Sequence, residues 1–213
     1  MKTAYNEQFE MTWDPQLGLG NVRFVVLDTE STGLDVDRDQ LVSIGAVGVI
    51  NDEVRIEDHF EVVIPIQHNT SAVFYHGITR EEASAGVPEP EALEQFLTYL
   101  KDGVIVGHHI GHDILMLNRA IERNFGFELQ NLAVDTMDLA LKLDSVLGVA
   151  PDERPDFSLD GLCRRFGILP HDRHTASGDA FLTSQIFLRL LRSARKGNLT
   201  RLGDLLSEFE GHR

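Results

Sequence analysis

Phe24-Val25-Val26-Leu27-Asp28-Thr29-Glu30-Ser31-Thr32-Gly33-Leu34 is the stretch on which the reading of this chain turns. The apolar run from Phe24 to Leu27 reads as a strand buried on both faces, and it ends by delivering two carboxylates, Asp28 and Glu30. Side chains alternate across a strand, so these two point to the same side and converge on one small volume. Like charges that close repel unless a cation lies between them, and a divalent metal is the usual remedy. Gly33 then permits a tight backbone turn beside the pair. An isolated Asp-x-Glu is more often just an acidic strand end, so a functional reading needs further carboxylates at comparably unusual places.

The rest of the chain sets the bounds. Its 213 residues fit one domain with a full-sized core, and 42% apolar content is ordinary for a globular protein. Lys and Arg number 19 against 34 Asp and Glu, a net charge of −15, which opposes binding along a polyphosphate surface by charge alone. A nucleic-acid substrate would have to be held locally. The single Cys163 excludes an intramolecular disulfide framework and a cysteine zinc cage. No run has the length of a membrane span and the N-terminus lacks a basic-then-apolar signal, so a soluble, cytoplasmic setting without membrane contact is expected.

Outward from the opening stretch, residues 1–20 show no sustained period and read as an irregular N-terminal arm, with Trp13 packing it onto the domain. Leu41 to Ile50 is a second apolar strand, Asn51-Asp52 a turn, and Val54 to Ile64 a third strand. In that third strand Val54, Ile56, Phe60, Val62 and Ile64 share one face. Pro65 ends it. Thr70 to Ala85 is mixed, with His76-Gly77-Ile78-Thr79 as a turn between helical pieces. Pro88 and Pro90 introduce a helix to Leu100. Val104 to Gly107 is a short buried strand that runs into His108-His109-Ile110-Gly111-His112-Asp113, so Asp113 falls in the first turn of the following helix. Val134-Asp135 ends another brief strand. Ser158 caps the helix Leu159 to Phe166. The last long helix carries Asp179, Thr183, Ile186 and Leu190 on one inward stripe. The divisions expected are an arm at 1–20, a catalytic domain at 21–195 and a tail at 196–213, whose Leu202, Leu205, Leu206 and Phe209 suit either packing or partner docking.

Strands and helices that alternate after an antiparallel start imply an α/β fold, a mixed sheet covered by helices. Four carboxylates stand out by position: Asp28, Glu30, Asp113 and Asp179. Four such charges balance two divalent cations, and two metals ~4 Å apart clamp the attacking and leaving oxygens in phosphodiester hydrolysis. Oxygen-only ligands favour Mg²⁺ or Mn²⁺. His174, five residues before Asp179, is placed to take a proton from an attacking water.

These motifs resemble the DEDD exonuclease superfamily in its histidine subgroup, which includes the epsilon subunit of bacterial DNA polymerase III. The resemblance rests on Asp28-Thr29-Glu30 with Ser31-Thr32-Gly33-Leu34, on Val106-Gly107-His108-His109 leading to Asp113, and on His174 followed by Asp179. It spans Phe24 to Leu191. It implies a ribonuclease H-like fold and metal-dependent, 3′–5′ removal of nucleoside 5′-monophosphates from single-stranded or frayed ends, with DNA favoured. It further implies Asp28, Glu30, Asp113 and Asp179 as metal ligands and His174 as general base. Thr29, Thr32, Leu34, His76 and His109 would contact the terminal nucleotide, and a polymerase or another replication or repair protein would be the partner. His109 occupies a position commonly Asn in the family. A His-Asp phosphohydrolase would be all-helical, against the strands read here, and a catalytically silent binding module would be expected to lack a ligand or the base. Asp135 and Asp138 read as capping or supporting acids, and His171 as a surface residue.

Overall fold

A computed structural model describes residues 1–9, 13–66, 86–150 and 156–206. Five strands form one mixed sheet: β1 (Phe24–Ser31), β2 (Leu41–Ile50), β3 (Glu53–Val63), β4 (Val104–Gly107) and β5 (Ala133–Asp135). Their order is β3-β2-β1-β4-β5. The first three pair antiparallel, and β4 and β5 add parallel on the other side of β1. The antiparallel start and parallel continuation expected from the sequence are therefore present.

Helices cover both faces. In chain order they are α1 (Lys2–Asn6), α2 (Glu89–Leu100), α3 (Gly111–Phe125), α4 (Thr136–Val146), α5 (Leu159–Phe166), α6 (Ala176–Lys196) and α7 (Leu202–Leu205). Alternation along β1 feeds two cores. Phe24 and Val26 enter a cluster with residues of α4, α5, α6 and α7, whereas Val25 and Leu27 enter one with α1, α2 and α3. All four are at most 1% exposed. At roughly 1.5–3 kcal/mol per buried large apolar side chain, β1 is the anchored platform of the domain.

The third strand departs from the simple alternation. Asn51 and Asp52, both at positive φ, make the two-residue hairpin turn expected there. Val47 of β2 faces His59, but the next residue, Gly48, faces Arg55, so Ile56 to Asp58 bulge out. An odd insertion reverses which face each residue takes. Val54 thus joins the α6 core while Phe60 and Val62 join the α2/α3 core, and Ile56 is 70% exposed. Asp58, in the bulge, receives hydrogen bonds from Arg23 Nε (3.0 Å) and Nη2 (2.9 Å).

Both flanks are tied to the domain. The arm expected to be irregular contains α1, followed by a 3₁₀ turn at Glu7–Phe9. Buried Tyr5 decides this: its hydroxyl donates to Asn131 Oδ1 (2.5 Å) and accepts from Gln130 N (2.7 Å). Tertiary anchoring overrides a sequence with no helical period. Trp13 stacks on Phe9 and packs against the core. Leu202 and Leu205 are buried in the α6 core, which is the packing alternative for that part of the tail. Phe209 lies outside the described residues, as does the expected turn at His76 to Thr79.

Candidate active site

The end of β1 places Asp28 opposite Gly45 of β2. A Cβ on Gly45 would lie 2.3 Å from Ser177 N and 2.4 Å from the Ala176 carbonyl carbon. Only glycine therefore lets the first turn of α6 lie on β2. Thr175 caps that turn, its hydroxyl accepting from Gly178 N (3.1 Å). The close approach brings buried Asp179 to the end of β1, where carboxylate oxygens of Asp28, Glu30 and Asp179 lie within 4.8 Å of one another.

Asp113 arrives from the opposite side. Thr29, between the two acids, points to the α3 face, and both its N (2.8 Å) and its Oγ1 (2.7 Å) donate to Asp113 Oδ1. Asp113 lies outside the three-carboxylate group, yet its charge is the largest repulsion felt by Asp28. The hydroxyl expected to meet a nucleotide is thus committed to positioning a fourth carboxylate.

Electrostatics mark the cluster as short of positive charge. Burial first, then repulsion from Asp113, Asp179 and Glu30, pushes the Asp28 carboxyl well above its usual range. Burial, then Asp179 and Asp113, pushes Glu30 up to about 7. Burial raises Asp113 against the hydrogen bonds from Thr29. Asp179 Oδ1 is buried without a hydrogen-bond partner among the described residues. An orphaned carboxylate oxygen among acids that resist ionisation is what an oxygen-ligated divalent cation would satisfy, so these residues fit such a metal.

Sequence reasoning missed Arg173. Its Nη1 donates to Asp179 Oδ2 and its Nε to Asp160 Oδ1 (2.9 Å). The signal was an arginine directly before His174, in a stretch otherwise read for its histidine and acids. His174 is exposed, at φ 63°, and its N donates to the same Asp179 Oδ2 (3.4 Å). His171 is exposed as well.

The remaining expected contacts frame the cluster. Thr32 Oγ1 donates to Asp39 Oδ1 (2.7 Å) and accepts from Gln40 N (3.0 Å), while Asp39 Oδ2 accepts from Asp35 N (2.8 Å). The β1–β2 loop is clasped around Asp39, with Gly33 so close that a Cβ would fall 2.5 Å from Asp39 Oδ2. The loop presents Leu34, 83% exposed. His109, at φ 56°, sets its ring edge-on to His108 at 4.7 Å. Burial, then His109, lowers His108 to about 4, and its Nδ1 lies 2.9 Å from Thr136 Oγ1, so this ring is neutral support. Asp135 caps α4 through Met137 N (2.8 Å) and holds Ile110 N (2.9 Å), the capping role read for it.

A family model described as Exonuclease, of the RNase T type, matches residues 25–187. The chain belongs to this exonuclease family. The exonuclease domain is 32% identical over 189 residues to a PolC-type DNA polymerase III of Thermotoga maritima, covering 87% of this chain but only 13% of that protein. It is 28% identical over 172 residues to the DNA polymerase III epsilon subunit of Aquifex aeolicus, covering 79% of this chain and 80% of that one. Among solved structures, E. coli Exonuclease I in complex with a dT13 oligonucleotide superposes with a TM-score of 0.71 at 19% identity, over 83% of this chain and 42% of that chain. That likeness establishes the shared fold, the ribonuclease H-like mixed sheet of the exonucleases.

Proposed function

We propose that this exonuclease-family chain is a 3′–5′ exonuclease that releases nucleoside 5′-monophosphates from free 3′ ends of single-stranded or frayed nucleic acid, with DNA favoured. The observation that carries the reading is the convergence of Asp28, Glu30 and Asp179, one of whose oxygens, Asp179 Oδ1, is buried without a hydrogen-bond partner among the described residues. These three would hold one divalent cation, Mg²⁺ or Mn²⁺, and Asp113, brought to the rim by Thr29, would help hold a second. Two such cations would supply charge stabilisation for the attacking and leaving oxygens of the phosphodiester.

The chain's own groups do the rest. His174, exposed at the mouth, accepts the proton of the attacking water. Leu34 offers an apolar surface to the terminal base, and the Thr32–Asp39 clasp fixes that surface in place. His109, held at positive φ with its ring against His108, would meet the sugar-phosphate. With a net charge of −15, the protein has little to gain along a strand and grips its end instead.

Relatives named as polymerase subunits and polymerases support a partner in replication or repair. No described helix is long and apolar enough to cross a membrane, and a cytoplasmic setting is part of this reading.

The deciding experiment incubates the protein with end-labelled single strands of DNA and RNA, with free and blocked 3′ ends, in Mg²⁺, Mn²⁺ or EDTA. Stepwise mononucleotide release from free 3′ ends, abolished by EDTA, is expected. Binding without cleavage in either metal would leave a silent binding module, and cleavage of blocked strands an endonuclease.

A further inference from the structure

Asp179 is asked to serve two cations. Of the four carboxylates at the end of β1, it is the one that forms an ion pair with Lys or Arg among the described residues, and its partner is Arg173. The guanidinium forks between two acids, Nη1 on Asp179 Oδ2 and Nε on Asp160 Oδ1 at 2.9 Å. Its side chain is 23% accessible. An arginine stays charged at any working pH, and its planar fork grips two carboxylates at once. Asp160 sits more openly, 51% accessible, in the first turn of α5. The other oxygen of Asp179, Oδ1, is buried and has no hydrogen-bond partner among the described residues, in a carboxylate grouped with Asp28 and Glu30. One oxygen of this carboxylate is therefore occupied by a fixed cation while the other has no such partner.

We propose that Arg173 is the resident counter-cation of the site: it occupies Asp179 in the metal-free protein, and loading the site is an exchange in which it yields Asp179 and is retained by Asp160. This rests on the metal-dependent reading above. Without a divalent ion, the guanidinium is the positive charge that lets Asp28, Glu30 and Asp179 lie within 4.8 Å of one another. A doubly charged ion on Asp179 repels the guanidinium and replaces its function, so the two compete. Asp160 gives the displaced side chain a second carboxylate within its existing reach. Because His174 follows Arg173 in sequence and its N donates to the same Asp179 Oδ2, the exchange also sets the position of the general base. Arg173 is thus a positioning residue coupling cation loading to the placement of His174.

The inference predicts a sign. Arg173→Gln removes the competitor and should bind Mn²⁺ more tightly, by about tenfold or more for a unit charge a few ångströms from a divalent ion. Arg173→Lys keeps the charge and should stay near wild type. Asp160→Asn removes the fallback carboxylate and should weaken Mn²⁺ binding, but not in the Arg173→Gln background, a coupling that a double-mutant cycle isolates. The measurement is calorimetric titration of the full chain with Mn²⁺ in the absence of nucleic acid, together with melting temperatures with and without metal. Metal-free Arg173→Gln should melt lower than wild type, with a larger rise on saturation. Equal or weaker Mn²⁺ binding by Arg173→Gln overturns the proposal, as does an Asp160→Asn effect that persists in the double variant. If Arg173→Gln does not fold, Asp160→Asn alone decides, since unchanged or tighter binding contradicts the exchange. Labelled single strands tested with the same proteins separate the two readings. Absence of cleavage with the exchange intact sinks the exonuclease assignment alone, whereas cleavage without the predicted sign sinks the exchange alone.

Discussion

Replacing Gly45 by Ala should disable the site from the neighbouring strand. The added methyl would meet Ser177 N at 2.3 Å, the Ala176 carbonyl carbon at 2.4 Å and Ser177 Cα at 2.6 Å, all backbone atoms of α6. Relief to ordinary contact, about 3.4–4 Å between such atoms, requires the start of α6 to retreat by roughly 1 Å or more. Overpacking of this kind costs about 1–3 kcal/mol. A domain of this size loses about 2–4 °C per kcal/mol, so the melting temperature should fall by roughly 2–12 °C. The same retreat carries Asp179 away from Asp28 and Glu30, and a 1 Å misplacement of a reacting constellation costs on the order of 10²-fold in rate. Thermal unfolding followed by circular dichroism measures the first effect, and the initial rate on a labelled single strand in Mg²⁺ the second. Gly111→Ala, whose Cβ would meet nothing within 4 Å, is the stability control and should not lower the melting temperature. Gly45→Ala with near-wild-type melting and turnover would refute the claim that this contact sets the site.

Asp28→Asn should abolish hydrolysis yet raise the melting temperature of the metal-free protein, because it removes a charge from a crowded acidic cluster, and lower metal-free melting would contradict the repulsion argued above. Asp179→Asn should also abolish hydrolysis, but it loses the ion pair with Arg173 and should not share that rise. Glu30 supplies a pH test. Its pKa rises from 4.5 to about 7 on folding, so the folded state binds more protons between those values. Metal-free stability should therefore fall as pH rises from about 4.5 to 7, and saturating Mg²⁺ should flatten that slope, as read by melting temperature against pH with and without metal. His174→Ala should lose most turnover while still binding Mn²⁺, as read by initial rate and calorimetric titration; His171→Ala should change little. Leu34→Ser should raise KM severalfold without moving the melting temperature, since its side chain is exposed; an unchanged KM for single strands would remove it from the nucleotide surface.

Much of this was legible because β1 concentrates its message in adjacent residues. An apolar run ending in Asp28 and Glu30 announces both a buried strand and a charged terminus, and the strand-to-helix step before Asp113 and the inward stripe led by Asp179 are local patterns too. What escaped depends on contacts between segments far apart in sequence. Nothing in Ile44-Gly45-Ala46 says that a helix more than a hundred residues later will rest on the glycine. The period of two from Val54 to Ile64 looked unbroken, but three bulged residues reversed it midway, so Val54 and Val62 serve opposite cores. The family resemblance sets Thr29 against the terminal nucleotide, and alternation along β1 turns its hydroxyl to the other face from Asp28 and Glu30, where it holds Asp113. Arg173 was passed over because a cation beside an acidic cluster gains meaning only when Asp160 and Asp179 are seen to share it.

The bulge in β3 has a further effect at the scale of whole molecules. β3 is one margin of the sheet and β5 the other. A long, straight margin of unpaired amides invites a strand from another chain. Here Ile56 to Asp58 break that margin midway, and Glu57 within the bulge, with Arg55 and Glu61 beside it, would bring charge into any added strand. The other margin is only three residues long, Ala133–Asp135, too short to template much pairing. A sheet that must hold its acidic residues at one terminus thus offers, among the described residues, a broken margin on one side and a short one on the other, both poor templates for a strand from a second copy of the chain.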